Sequence, residues 1–246
     1  MRVLIADIAG GAIAPGAPLP RETDLAREFG VSRGVARECV RGLEERGLVS
    51  VKHGRGATVT PEADWDMFNP DVLAAVLSGE RGAAVLGEYL ECRRLLEIEA
   101  AGLAAERARA RHLAVLADVL ERMTAAAARA EASPAAEDLY HEADIAFHHA
   151  VIAATGNRAL GRMSEQIHRA LAMARRPLAR PGQRLARSLP EHRRILSAIA
   201  ARDPAEARAA MRDHLLTVEQ YLREYAEEVA GRAPAPQHSG SLDEGG

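Results

Sequence analysis

The sequence predicts a mostly α-helical protein with a small N-terminal head, made of a helix-turn-helix and a β-hairpin, on a C-terminal all-helical bundle. Three observations predict it. The chain is rich in Ala, Leu, Arg and Glu, good helix formers, and β-branched runs are scarce. Apolar residues recur at helical spacing from about residue 70 onward. Before that, two short helical stripes sit three residues apart and lead into a glycine-turned hairpin. At 246 residues and 48% hydrophobic there is material for a real core, but only 3% is aromatic, so Ala, Leu, Val and Ile must build it.

Residues 3–10 read as a short helix ending at Gly10-Gly11, and "APGAPLP" (Ala14–Pro20) as a turn-rich connector. Leu25, Ala26 and Phe29 mark a helix that Gly30 stops. Ser32 is suited to cap the next, on which Val35, Ala36, Cys39, Val40 and Leu43 form an i, i+3, i+4 stripe. Gly47 ends it, and "LVSV", the glycine turn and "ATVT" read as a two-stranded hairpin. Asn69 and Pro70 fit the cap and first position of a linker helix. Further helices are expected over Val85–Arg109, Arg111–Glu131 (stopped by Ser133-Pro134), Glu137–Thr155, Asn157–Ala179, Gln183–Ala201 and Ala205–Ala230. The expected organisation is a helix-turn-helix and hairpin head over residues 1–61, a linker and short helix over 62–80, and an all-helical domain over 81–231. A disordered tail is expected over 232–246.

The net charge of −3 hides an asymmetry. Residues 1–61 carry nine Arg/Lys against seven Asp/Glu, and the remainder 23 against 28. A basic head on an acidic body is compatible with nucleic-acid contact through the head. Cys39 and Cys92 are too few for a disulfide framework, so a reduced, cytoplasmic protein is the expectation. Asp7 cuts the opening apolar stretch to Val3–Ala6, too short for a signal peptide, and no apolar run is long enough to span a membrane.

Arg33 and Arg37 lie one turn apart near the start of the second helix, the part of a helix-turn-helix that enters the major groove. Arginine suits bidentate contact with guanine O6 and N7. The hairpin tip, Lys52-His53-Gly54-Arg55, adds charge where the backbone can approach a phosphate or the minor groove. Each element alone reads equally as a solvated helix face or a surface turn. Together they point to double-stranded DNA, and such units read the two half-sites of a pseudo-palindrome as homodimers.

A second candidate lies in "LYHEADIAFHHAVIAATGN", Leu139–Asn157. Asp144 and His148 fall one helical turn apart on one apolar face. His192 shares a stripe with Ile195, Leu196 and Ile199, and His214 with Met211, Leu215 and Val218. Three helices thus offer inward-facing carboxylate or imidazole groups. They read either as buried, hydrogen-bonded polar groups or as ligands of a divalent transition metal in a bundle core. His112, His141, His149, His168 and His238 read as surface or packing residues. Arg93 and Glu97, at i and i+4, read as a surface ion pair.

"PGAPLPRETDLAREFGVSRGVARECVRGLEERGLVSVKHGRGATV" is similar to the winged helix-turn-helix head of GntR-family bacterial transcription regulators. One departure is Thr23, where the family often carries an arginine after the equivalent of Glu22. "YLECRRLLEIEAAGLAAERA", "DIAFHHAVIAATGN", "EHRRIL" and "MRDHL" resemble the FCD effector domain of the FadR subgroup. That resemblance implies a metal held by Asp144, His148, His192 and His214, zinc first with nickel or manganese as alternatives. It also implies a small carboxylate effector on Arg93 and Asn157. "WDMFNPDVLAAVL" (Trp65–Leu77) resembles the linker helix of members that sense sugar acids such as galactonate. The implied function is a non-enzymatic, ligand-responsive regulator, a repressor. The alternatives are a metal-dependent hydrolase, opposed by the lack of an evident general base, and a DNA-binding protein with a purely structural metal.

Overall fold

In the computed structural model, residues 1–52, 56–130, 133–175 and 181–232 are described. Among them the chain forms ten helices and one β-hairpin. The head contains α1 (Arg2–Ala9), α2 (Glu22–Glu28), α3 (Arg33–Glu45), β1 (Val49–Lys52) and β2 (Gly56–Val59). Gly30 turns the chain between α2 and α3 with a φ of +63°. Ser32 Oγ then accepts from the Val35 amide at 3.3 Å, the N-cap the sequence predicts. The hairpin is antiparallel in the register Val49↔Val59.

The expected connector does more than turn. The Leu19 amide donates to Ala57 O and the Val59 amide to Ala17 O, so residues 17–19 lie along β2 as a third extended segment. Gly47 lets the chain leave α3: its φ is +72°, and a Cβ there would sit 2.0 Å from Asp64 O. Ala36, Val40 and Leu43 carry the buried face of α3. Val35, expected on that stripe, is exposed, as is Phe29 at the end of α2, because both lie on the outward side of two very short elements.

Asn69 Oδ1 caps α4 (Pro70–Leu77) through the amides of Asp71 and Val72, with Pro70 at the first position. Val72, Leu73 and Val76 of α4 join Leu4, Ile5 and Ile8 of α1 in the core of the head. Val85 and Ala170, from the two body helices that α4 packs against, enter the same cluster.

The body holds α5 (Gly82–Arg107), α6 (Ala110–Ala130), α7 (Pro134–Ala154), α8 (Arg158–Arg175), α9 (Pro181–Ala200) and α10 (Pro204–Arg232). α5 packs chiefly on α10, α6 on α7, and α9 lies between α10 and α6. Their shared core is small-residue rich: Ala101, Ala104, Ala105, Ala143, Ala198 and Ala210 alternate with Leu116, Met123, Phe147 and Ile195. α6 ends at Ala130, before Ser133-Pro134, as the sequence predicts, and Pro134 also opens α7, where its missing N–H leaves no bond unmade. Pro181 likewise opens α9, and Pro190 lies inside it. The expected tail falls outside the described residues except for Arg232, the last residue of α10. No described helix is long and apolar enough to cross a membrane.

Candidate functional site

On the head, Arg33 is the first residue of α3 and Arg37 lies one turn on, and both are exposed. Lys52 ends β1 and is exposed, while His53, Gly54 and Arg55 lie outside the described residues. Thr23 is exposed on α2. The outward face of α3 therefore presents two guanidiniums along one helix edge, geometry that suits a groove.

In the body, four side chains from three helices converge. Asp144 and His148 come from α7, His192 from α9 and His214 from α10. All four are buried, and one ligand atom from each lies within 4.8 Å of every other. His192 Nε2 is 3.2 Å from Asp144 Oδ1, and His148 Nε2 is 3.3 Å from His214 Nε2. Phe147 closes one side, its ring 4.8 Å from that of His192.

The outer nitrogen of each imidazole faces an oxygen. His192 Nδ1 donates to the Ser188 carbonyl at 2.7 Å. His214 Nδ1 donates to Glu191 Oε2 at 2.8 Å. His148 Nδ1 is 2.6 Å from Glu97 Oε2, a short but off-axis contact. Carbonyl and carboxylate oxygens only accept, which favours the hydrogen on each Nδ1 and frees the Nε2 atoms, gathered with the Asp144 carboxylate, to act as ligands. Burial pushes His148 down to about 4 although Glu97 lies beside it. Burial, followed by the neighbouring His192 and His148, pushes His214 well below the usual histidine range. Three imidazole lone pairs and one carboxylate around a common centre form a donor set for a divalent transition metal, with outer-shell partners of the kind that orient such ligands. The residues present fit that group.

Arg93 does not form the surface ion pair that was one reading of it. It is 2% exposed, and its Nε donates to Glu97 Oε1 at 2.7 Å within the protein. Asn157 is exposed, and its Oδ1 caps α8 through the amides of Ala159 and Leu160. It follows the turn at Thr155-Gly156, where Gly156 has a φ of +70°. His168, read as a surface or packing residue, is buried and bonds Glu97 at 2.6 Å. The signal was present: Ser164, Ile167, His168 and Leu171 share the helical spacing of a buried face, as do Leu90, Arg93, Glu97 and Ala101 on α5. Glu191, which holds His214, could not be paired from sequence because α9 and α10 meet only in the fold.

Residues 2–59 match the profile of bacterial regulatory proteins of the gntR family, and residues 88–217 match that of the FCD domain. The chain belongs to the GntR family. Among curated relatives, it is 32% identical over 218 residues to the galactonate operon transcriptional repressor of Escherichia coli, spanning 88% of this chain and 92% of that protein. It is 34% identical over 226 residues to the HTH-type transcriptional regulator LutR of Bacillus subtilis, spanning 90% and 98%. Among solved structures, the Listeria monocytogenes regulator Lar aligns with a TM-score of 0.60 at 18% identity, covering 90% of this chain and 94% of that one, a likeness of fold. This GntR-family chain is thus a DNA-binding transcriptional regulator with an FCD domain, and its relatives are regulators, not enzymes. The hydrolase reading falls with that finding.

Proposed function

We propose that this regulator is a metal-dependent sensor of a small hydroxy-carboxylate, which controls its hold on operator DNA and makes it a repressor. The observation that carries the reading is the convergence of Asp144, His148, His192 and His214, with every outer imidazole nitrogen committed to an oxygen. A bound divalent ion, zinc first and nickel or manganese as alternatives, would supply open coordination positions for a carboxylate and a neighbouring hydroxyl. Arg93 would hold the negative charge of the effector from α5. Asn157, which caps α8, would offer its side-chain amide to a hydroxyl of the effector.

The relative named as a galactonate operon repressor and the sequence of α4 both favour a sugar acid. On DNA, Arg33 and Arg37 would read bases, and Lys52 with His53, Gly54 and Arg55 would follow the backbone. Two copies would engage a pseudo-palindrome as a homodimer in the cytoplasm. Calorimetry of metal-free and zinc-loaded protein against aldonic and other hydroxy acids, paired with operator gel shifts, tests the reading. Tight binding of one acid only with metal present, with release of DNA at the same concentration, is the expected result. Equal affinity with and without metal would make the ion structural.

A further inference from the structure

Glu97 lies midway along α5 and is 1% exposed, and its contacts reach beyond the one histidine it faces at the metal centre. Its two oxygens gather donors from three helices. Arg93 Nε from its own helix reaches Oε1 at 2.7 Å. His168 Nε2 from α8 reaches the same oxygen at 2.6 Å. His148 Nδ1 from α7 stands 2.6 Å from Oε2. A carboxylate oxygen at that distance repels a bare imidazole lone pair, so the nitrogen facing it carries the hydrogen.

Arg93, fixed beside it at 2.7 Å, is the cation that faces this buried carboxylate. Arg93 in turn spends its Nε edge on Glu97, while its Nη1, buried with it, has no hydrogen-bond partner. An unpaired guanidinium nitrogen in a dry interior is costly, and it marks the edge that an incoming anion would satisfy.

We infer that Glu97 is a positioning residue shared by the two halves of the sensor: it turns the His148 lone pair toward the metal centre and aims the open edge of Arg93 at the effector. The inference rests on the metal reading above for its consequence and on the wild-type geometry alone for its premise. One carboxylate serving both groups makes them thermodynamically coupled, so loosening it weakens metal and effector together. Glu191 also holds a ligand histidine, His214, but from α9 and not from the helix that carries Arg93.

The experiment uses the full chain and zinc ion as the probe. Nitrogen-15 histidine spectra of the wild-type protein, with and without zinc, give the tautomer of His148. Hydrogen on Nδ1 in both samples is expected, and hydrogen on Nε2 in the metal-free sample overturns the inference. Chelator competition then compares zinc affinity of the wild type, Glu97→Gln and Glu99→Gln, the last an exposed carboxylate on the same helix. Glu97→Gln should lose about 10–100-fold, the usual effect of removing an outer-shell partner, and Glu99→Gln nothing. A folded Glu97→Gln protein with wild-type zinc affinity overturns the inference while leaving the metal reading intact. Wild-type protein that takes up no zinc overturns the metal reading, and the coupling with it. If Glu97→Gln does not fold, the wild-type tautomer decides.

Discussion

The Nε2 atoms of His148 and His214 lie 3.3 Å apart, and the outer nitrogen of each ring faces a carboxylate, which favours the hydrogen on the outer side and leaves both inner nitrogens as acceptors. Two acceptors at that distance repel each other unless a cation stands between or beside them. The metal-free fold therefore carries a local penalty that an ion removes, and zinc should stabilise the protein. At a free concentration of 100 times the dissociation constant the gain is about 2.7 kcal/mol. For a chain of this size that raises the midpoint of thermal unfolding by roughly 5–10 °C. Scanning calorimetry of chelator-treated protein, before and after zinc, measures it. His214→Ala should lose most of the shift, and an unchanged midpoint in the wild type would mean that the four side chains hold no ion.

Arg33→Ala and Arg37→Ala should each weaken operator binding by about 1–3 kcal/mol if the guanidiniums read base edges. Both side chains are exposed, so the folded head should tolerate either change. Titrations on operator and scrambled DNA separate the cases. A loss confined to operator identifies base reading, whereas equal losses on both would reduce these residues to phosphate contacts.

Gly47→Ala should unfold or loosen the head while leaving the body intact. The positive φ alone costs an L-residue about 1–2 kcal/mol, and the new Cβ would meet Asp64 O at 2.0 Å, a backbone atom that cannot swing away. A loss above about 2 kcal/mol is expected. Gly16→Ala is the control: its φ is +84° but a Cβ there meets nothing within 4 Å, so it should cost the strain term alone. Denaturant unfolding followed at Trp65, which is buried in the head core, reports on this region. Equal losses at the two glycines would show that the approach to Asp64 does not matter.

The same contrast between local and distant causes explains what the sequence made legible. The head could be read almost residue by residue, because Ser32, Gly30, Gly47 and Asn69 act on their immediate neighbours through caps and turns. Asp144, His148, His192 and His214 were legible too, since each stands on an apolar stripe of its own helix. The pairing of Ala17 and Leu19 with β2 was not, because an extended segment among prolines has no period to betray it. Pro134 and Pro181 mark the breaks between helices, but the sequence expectation starts the following helices two to three residues late, because proline also suits the first position of a helix. Glu97 and His168 sit on buried spacings that could have been counted. Their partnership joins α5 to α8 across 71 residues, and no local rule reaches that far.

Arg93 separates stability from sensing. Its pair with Glu97 is buried on both sides, 2% exposed each. Removing one member of such a pair leaves a charge without its partner and costs about 3–5 kcal/mol. Arg93→Ala should therefore lower the thermal midpoint by about 6–20 °C on the scale for a chain of this length. Arg93→Lys keeps a cation near Glu97 and should recover part of that loss. It cannot recover the fork: a lysine offers one charged centre, so a carboxylate that had engaged the guanidinium loses its second, parallel bond. The lysine variant should bind zinc and operator about as well as the wild type, yet respond only to much higher concentrations of the effector acid. Calorimetry with the acid selected from the panel, alongside operator gel shifts, gives both readouts on one preparation. A lysine variant with unchanged effector affinity would mean that Arg93 serves only to hold Glu97, and that the acid is recognised elsewhere around the metal centre.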